Sequence, residues 1–544
     1  MKNRVSLSPY TLPITNLNNL PTTALLIAAI PFLLSGCMLG PDFIPPPSPE
    51  TKSYTTDKPA KRITTSSSVS SPAQSLSLGK DIQGQWWTLF HSTPLNKLIA
   101  QAMKHNPDLQ AASSALTEAQ ENASVQESSL FPALDAGFST RRQKISGAQF
   151  GSPGFEAPAY NLSTASLQVA YTLDAFGAIR RQIEGYEAQA DYQRFQLEGT
   201  FLTLASNVVT TAIQEASLRA QISATQEIIS AQAKGLELVK QQFELGGASK
   251  VDVLLQQTTL AQTRTNLPPL ERELAQNRHR LTVLTGELPS TELAAQFKLS
   301  DLHLPEALPL SLPSKLVQQR PDVRAQEAQL HSANAQIGVA TAQLFPDFTI
   351  NANVGSIATN VGDLFVPGSA IWTVGGNLLQ PVFHGGGLIH QRRAAIAAYE
   401  QAAAQYRSTV LLAFQNVADT LSALEFDAVG LKTQDDAVKA ASDTLELTEM
   451  QYKLGVVSYL PLLIAERNYH QTRITQIIAQ TRRYTDTAAL FQALGGGWWN
   501  RPNLSANLLA EQKQQKTNKD KTEEEKLLAN ERDFFTLPSW ISNF

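Results

Sequence analysis

Two hydrophobic periodicities alternate along this chain, and each occurs twice. In residues 133–141, Leu134, Ala136 and Phe138 alternate with Asp135, Gly137 and Ser139, and in 167–174, Leu167, Val169, Tyr171 and Leu173 alternate with Gln168, Ala170, Thr172 and Asp174. The second occurrence sets Phe348, Ile350, Ala352 and Val354 against Asp347, Thr349, Asn351 and Asn353, followed by a weaker strand around Trp372, Val374 and Leu378. Period two with one polar face predicts strands that are wet on one side. A strand of a soluble sandwich reads the same way, so each pattern alone fits either a transmembrane or a soluble sheet.

The second periodicity is heptad spacing. Phe201, Val208, Ile222, Ile229, Leu236 and Phe243 recur at sevens, broken at Glu215; Val410, Val417, Leu424, Leu431, Val438, Leu445 and Tyr452 do the same. These positions lie in proline-free stretches, 177–245 and 386–454, each predicting a helix of roughly 100 Å. A sustained heptad requires neighbouring helices. Gly185, Gly199, Gly235 and Gly430 each weaken an isolated helix by about 1 kcal/mol, so lateral packing must hold it. Short turns, Gly246-Gly247-Ala248-Ser249 and Gly455-Val456-Val457-Ser458, then reverse the chain into second helices that return to about Gly286 and Gly495.

The two occurrences are copies of one unit. Pro107-Asp108 and Phe131-Pro132 recur as Pro321-Asp322 and Phe345-Pro346; Gly177 corresponds to Gly386, Asn207-Val208 to Asn416-Val417, and Leu245-Gly246 to Leu454-Gly455. Order and spacing survive together, which identifies a tandem duplication. Each copy opens with a helix expected to end at Phe-Pro, because proline drives the preceding residue out of the helical region.

Composition narrows the class. Of 544 residues 42% are hydrophobic and only 17% charged, against roughly a quarter charged in an average soluble domain. Lys plus Arg number 44 and Asp plus Glu 48, a net charge of −4, so no basic surface favours nucleic acid. The single cysteine, Cys37, excludes an intramolecular disulfide and a multi-thiolate metal site. The longest apolar run, 24–34, is too short for a membrane helix, which leaves a β-barrel as the route across a bilayer. That run follows Lys2 and Arg4 and ends in Leu34-Ser35-Gly36-Cys37, the layout of a secretory signal. Leu-Ser-Gly-Cys resembles a bacterial lipobox, whose thiol carries diacylglycerol; the alternative is a short buried helix with an incidental cysteine. The expected organisation is a signal peptide over 1–36, a lipidated Pro/Ser/Thr-rich tether over 37–80, repeats over 81–310 and 311–500, and a polar, charged extension over 501–544.

Four strands per chain are too few for a closed barrel, which starts at about eight, and an open edge in lipid leaves backbone groups unpaired. Two chains would give a barrel filled by side chains; three would give twelve strands and a lumen. The lipobox with Met38-Leu39-Gly40-Pro41-Asp42-Phe43, the Trp86-Trp87 pair with Phe90 and Leu95, the duplicated units and the two Gly-x-x-Ser turns together resemble the outer-membrane factors of tripartite efflux systems. These are the TolC-like channels, here of the lipoprotein branch serving resistance-nodulation-division (RND) pumps. The resemblance implies an α+β membrane protein, a homotrimer with a twelve-stranded barrel in the outer membrane and a long α-helical barrel in the periplasm. It also implies a periplasmic membrane-fusion adaptor and an inner-membrane RND transporter as partners.

On the same resemblance, Gly246, Gly247, Ser249, Gly455, Val456 and Ser458 fall at adaptor-facing tips, though Gly there equally serves as a helix C-cap. Glu449, with Lys453 one helical turn on and Lys240 at the matching site of the first copy, is the candidate periplasmic gate; the alternative is a solvated i,i+4 pair. The eight histidines form no spaced ligand cluster, and Gly385-Gly386-Gly387 and Gly495-Gly496-Gly497 lack the Lys-Ser/Thr of a phosphate loop. The expectation is a passive channel with no catalytic site, no metal and no cofactor beyond the lipid on Cys37. A structural or adhesive coiled-coil lipoprotein and a type I secretion channel are the alternatives.

Overall fold

The computed structural model describes residues 38–51, 53–56, 62–63, 73–146, 148, 151, 154 and 158–501. The signal peptide, Cys37 and nearly all of the 501–544 extension lie outside the described residues. The described chain is mostly helical and falls into two compact units. One combines residues up to Pro45 with Ala119–Ala190 and Gln329–Ala403; the other combines Pro46–Glu118, Asp191–Ala328 and the chain from Ala404. Each unit takes segments from both copies, so the expected division near residue 310 separates sequence repeats and not compact bodies.

The first unit holds the sheet. Strands β3 (Ala133–Gln143), β4 (Tyr160–Leu173), β6 (Asp347–Ala358) and β7 (Ala370–Leu379) pair in the order β3-β4-β6-β7, antiparallel throughout. The junction between copies is the β4–β6 ladder, with Leu167 opposite Val354 and Tyr171 opposite Ile350. The strands exceed the alternation read from sequence, β4 most of all. Its first half, Tyr160 to Ser166, is mostly small and polar apart from Tyr160 and Leu162 and is held by ladder hydrogen bonds, with only Asn161, Ser163 and Ala165 on the Leu167 face and so no apolar period to announce it.

Each copy's opening helix, Pro107–Ser128 or Pro321–Ala342, stops three residues before Phe-Pro. Tighter i→i−3 bonds, such as Phe131 N–H to Ser128 O, fill the gap. The long helices are continuous over 67 residues each, Ala178–Glu244 and Gly387–Lys453. The return of the first copy is broken into Lys250–Thr265 and Leu267–Leu284. Pro268 and Pro269 supply no N–H there and restart a helix as first-turn residues. The second return, Tyr459–Ala493, is unbroken because its proline, Pro461, sits in the first turn.

Numbered in chain order, these helices are α2 (Pro107–Ser128), α3 (Ala178–Glu244), α4 (Lys250–Thr265), α5 (Leu267–Leu284), α7 (Pro321–Ala342), α8 (Gly387–Lys453) and α9 (Tyr459–Ala493), with α1 at Thr93–His105 and α6 at Pro313–Gln319. The second unit's core is aromatic: the Trp86 ring stacks on Phe491 at 5.1 Å, beside Trp87, Phe90 and Phe201. A small sheet sits with it, in which β2 (Gln74–Leu78) lies antiparallel to β1 (Arg62–Ile63) and parallel to β5 (Ala307–Leu310). β2 belongs to the stretch expected as a tether. Gln74 is buried and accepts a hydrogen bond from Arg483 Nη2 at 2.6 Å, so part of 37–80 is bound structure, and the expectation of a free tether is corrected there.

The copies also close on themselves in the same way. Gly286 and Gly495 follow the two return helices with φ of +79° and +92°; a Cβ would lie 2.2 Å from His105 O in the first and 2.4 Å from Gln319 O in the second. Gly495→Ala is therefore expected to lose about 2 kcal/mol or more through left-handed strain and backbone clash. A thermal melt of the purified protein checks this, and a wild-type midpoint would contradict it.

Candidate functional site

The register of the sheet puts every apolar strand residue singled out above on one face. Across β3, β4, β6 and β7, Leu134 meets Val169, Ala352 and Val374; Ala136 meets Leu167, Val354 and Trp372; and Leu173 meets Phe348 and Leu378. The opposite face carries Asp135, Gln168, Asn353 and Thr373 in one row. The apolar rows are exposed: Trp372 retains 75% and Val354 57% of its surface. An uncovered apolar patch of this extent marks contact with lipid or another chain. The outer strands β3 and β7 each have one unpaired edge within the chain, a template for further strands. Among the described residues no helix is long and apolar enough to cross a membrane.

The second candidate region lies where long helices meet return helices. Gly246 and Gly455 stand just past the ends of α3 and α8 with φ of +80° and +73°. Gly246 N–H donates to Phe243 O at 3.0 Å and Gly247 N–H to Gln242 O at 2.7 Å; Gly455 and Val456 donate likewise to Tyr452 O and Gln451 O. Each turn is thus a Schellman C-cap, and the glycines have a local reason to be there. Ser249 caps α4 in a capping box with Asp252. Ser458 also occupies an N-cap but makes no side-chain cap, because the residue three further on is Pro461, which has no N–H to offer. Beyond these caps the turns carry an exposed apolar rim, with Leu245 at 87% and Val456 at 70%. Beneath it the hairpins share a core of Leu236, Val239, Val253, Tyr459, Leu462 and Leu463, and the Tyr452 hydroxyl donates to Gln242 Oε1.

A sequence model for a family described as outer membrane efflux protein matches residues 98–287 and again 312–496. The chain belongs to the outer membrane efflux protein family. It is similar to the toluene efflux pump outer membrane protein TtgC of Pseudomonas putida, at 31% identity over 480 residues covering 87% of this chain and 95% of that one. It is also similar to the probable outer membrane lipoprotein SilC of Salmonella typhimurium, at 26% identity over 86% of this chain and 97% of that one. The solved outer-membrane channel OprN superposes with a TM-score of 0.75 at 27% identity, covering 85% of this chain and 100% of that one. This member of the family is accordingly an outer-membrane component of an efflux system, extending into the periplasm.

Within this efflux channel chain the gate candidates are placed as follows. Lys453 Nζ pairs with Glu449 Oε1 at 2.7 Å, and both side chains are largely exposed. Lys240 pairs with Glu237 at 3.5 Å; within the chain it is not brought to Glu449. Sequence reading missed a second carboxylate near Glu449. Glu466, on α9, has a buried Oε2 without a hydrogen-bond partner, and burial, with the charge of Glu449 second, pushes its pKa above the usual carboxylate range. Only the α8–α9 hairpin register juxtaposes the two, so no local pattern could have announced it. Among the described residues no cluster of side chains suited to a metal ion occurs.

Proposed function

We propose that three copies of this chain close their sheets into a twelve-stranded outer-membrane barrel through which efflux substrates pass passively. The observation that carries this reading is the exposed apolar face of a four-stranded sheet with two open edges. Such a sheet is unstable alone in lipid and satisfied only by pairing edge to edge with further copies, and three is the smallest number that leaves a lumen. The long helices, with heptad positions that need neighbours, form the periplasmic tunnel of the same trimer. A periplasmic adaptor meets the exposed rim at Leu245, Gly246, Gly247, Ser249, Gly455, Val456 and Ser458, and an RND-type inner-membrane pump supplies the energy. Cys37 carries the lipid anchor. Cargo choice belongs to pump and adaptor.

Heat-modifiable trimers and ion conductance in planar bilayers test the reading; a monomer without conductance, retained in the soluble fraction, would end it. The gate half has its own test. Threefold repetition of Glu449 around a narrow opening concentrates negative charge, and Lys453 beside it restrains the ring. Glu449→Ala is expected to raise single-channel conductance and sensitivity to vancomycin, and unchanged values would reduce Glu449–Lys453 to a solvated pair.

A further inference from the structure

The residues that directly follow Cys37 lie in a groove. Leu39 N–H donates to Phe176 O at 3.2 Å, at the junction where β4 leads into α3. Arg181, on the first turn of α3 and 1% exposed, donates through Nε to Leu39 O at 3.1 Å and through Nη2 to Gly40 O at 3.2 Å and Asp42 Oδ1 at 2.7 Å, while Nη1 reaches Glu184 at 2.7 Å. From α7, Asn334 Nδ2 donates to Pro41 O at 2.8 Å, and the His331 ring stacks on Phe43 at 4.3 Å.

The groove also depends on missing side chains. A Cβ on Gly40, whose φ is +93°, would fall 2.5 Å from Gly338 Cα; one on Gly338 would fall 2.7 Å from Arg181 Cγ, and one on Gly177 2.8 Å from Met38 Cα. Three backbones thus approach as only glycine permits. A buried guanidinium whose donors are spent on two carbonyls and two carboxylates is a costly arrangement, and nothing about a free tether would require it.

We infer that Arg181 is a positioning residue that seats Met38–Phe43 between α3 and α7, so that the lipid on Cys37 is held beside the β4–α3 junction. The inference rests on the reading of Cys37 as the acylation site. A coil of the length of 37–80 would let the lipid wander roughly 35 Å from the folded chain; from a seated Met38 the Cα of the lipid-bearing cysteine is one step, about 3.8 Å, away. Because α3 comes from the first copy and α7 from the second, the seat exists only after the two copies have packed. The lipid is thereby fixed at the level where the strands end, in register with the sheet that must enter the membrane.

The test uses the full-length protein recovered from outer membranes. A Pro41→Cys/Asn334→Cys pair is expected to form a disulfide efficiently, and Arg181→Ala to cut its yield roughly tenfold, as loss of several charge-assisted hydrogen bonds implies. Palmitate incorporation on Cys37 is expected to stay unchanged. Should Arg181→Ala fold poorly, Asp42→Ala, at an exposed position, is expected to move the yield in the same direction. A Gly-Ser insertion between Cys37 and Met38 leaves the seat and the lipid but frees one from the other. It is expected to keep the disulfide yet, like Arg181→Ala, to lower the share of heat-modifiable oligomer. Disulfide yields independent of Arg181 and Asp42, or an insertion variant that assembles like wild type, would overturn the proposal. If the wild-type chain takes up no palmitate and Cys37→Ser matures normally, the lipid reading fails, and with it the anchor-positioning half, while the disulfide yields still decide the seat.

Discussion

Val354→Arg should remove assembled channel from the outer membrane almost completely. Val354 lies in β6, paired on both sides, opposite Leu167 and Trp372 in the exposed apolar rows. On a lipid-facing strand a cationic side chain near the bilayer middle costs about 2–4 kcal/mol, and the proposed trimer would carry it three times. The contrasting substitution is Gln168→Arg. Gln168 occupies the neighbouring position on β4, on the polar face with Asp135 and Asn353, where a charge stays hydrated. That variant is expected to assemble normally and to shift ion selectivity towards anions. The share of heat-modifiable oligomer in outer-membrane fractions measures both. If the two variants assembled equally well, the apolar face would not be the lipid face.

The largest stability loss is expected at Glu215, the residue that interrupts the heptads of the first long helix. Its side chain is fully buried, and Oε1 accepts from Arg219 at 2.8 Å and from Arg278 at 2.9 Å. Arg278 reaches from α5 and also binds the carbonyls of Leu293 and Ala295, so one carboxylate ties the long helix, the return helix and the following loop. Removing one partner of a buried ionic group costs about 3–5 kcal/mol. Both arginines keep some contact with solvent, so the lower end is the appropriate figure for Glu215→Ala. Glu215→Gln keeps the shape and one acceptor and is expected to lose less. Thermal melts of the detergent-solubilised protein give the comparison. A Glu215→Ala midpoint equal to wild type would show that the cluster is solvated and dispensable.

Glu215 also shows where local reading stops. Along the chain it looks like a defect in an apolar seam, and its purpose appears only when Arg278, distant in sequence, is brought beside it. Glu449 and Lys453 were legible because they lie one turn apart on the same helix; Glu466 was not, because its proximity to Glu449 depends on hairpin register. The glycines of the tips were legible as helix ends, and the structure gives that role its geometry in both copies. The stretch over 37–80 was misread in part for the opposite reason. Proline, serine and threonine say only that a segment makes no core of its own, not that no groove receives it, and Gln74 and Asp42 are both held by arginines from elsewhere in the chain.

The sequence by itself determined the duplication, the positions of four amphipathic strands and two very long helices, the turns between helices, and the family. Those features are written in short-range periodicities of two and seven residues and in proline and glycine at element ends, all of which act on neighbouring residues. The tertiary structure alone decided that β4 of one copy pairs with β6 of the other, that each compact unit draws on both copies, and that Arg181 and Glu215 are buried in ionic contacts. Strand pairing and buried charge are settled by which distant groups can satisfy one another's hydrogen bonds away from water, and that depends on three-dimensional proximity, not on spacing along the chain.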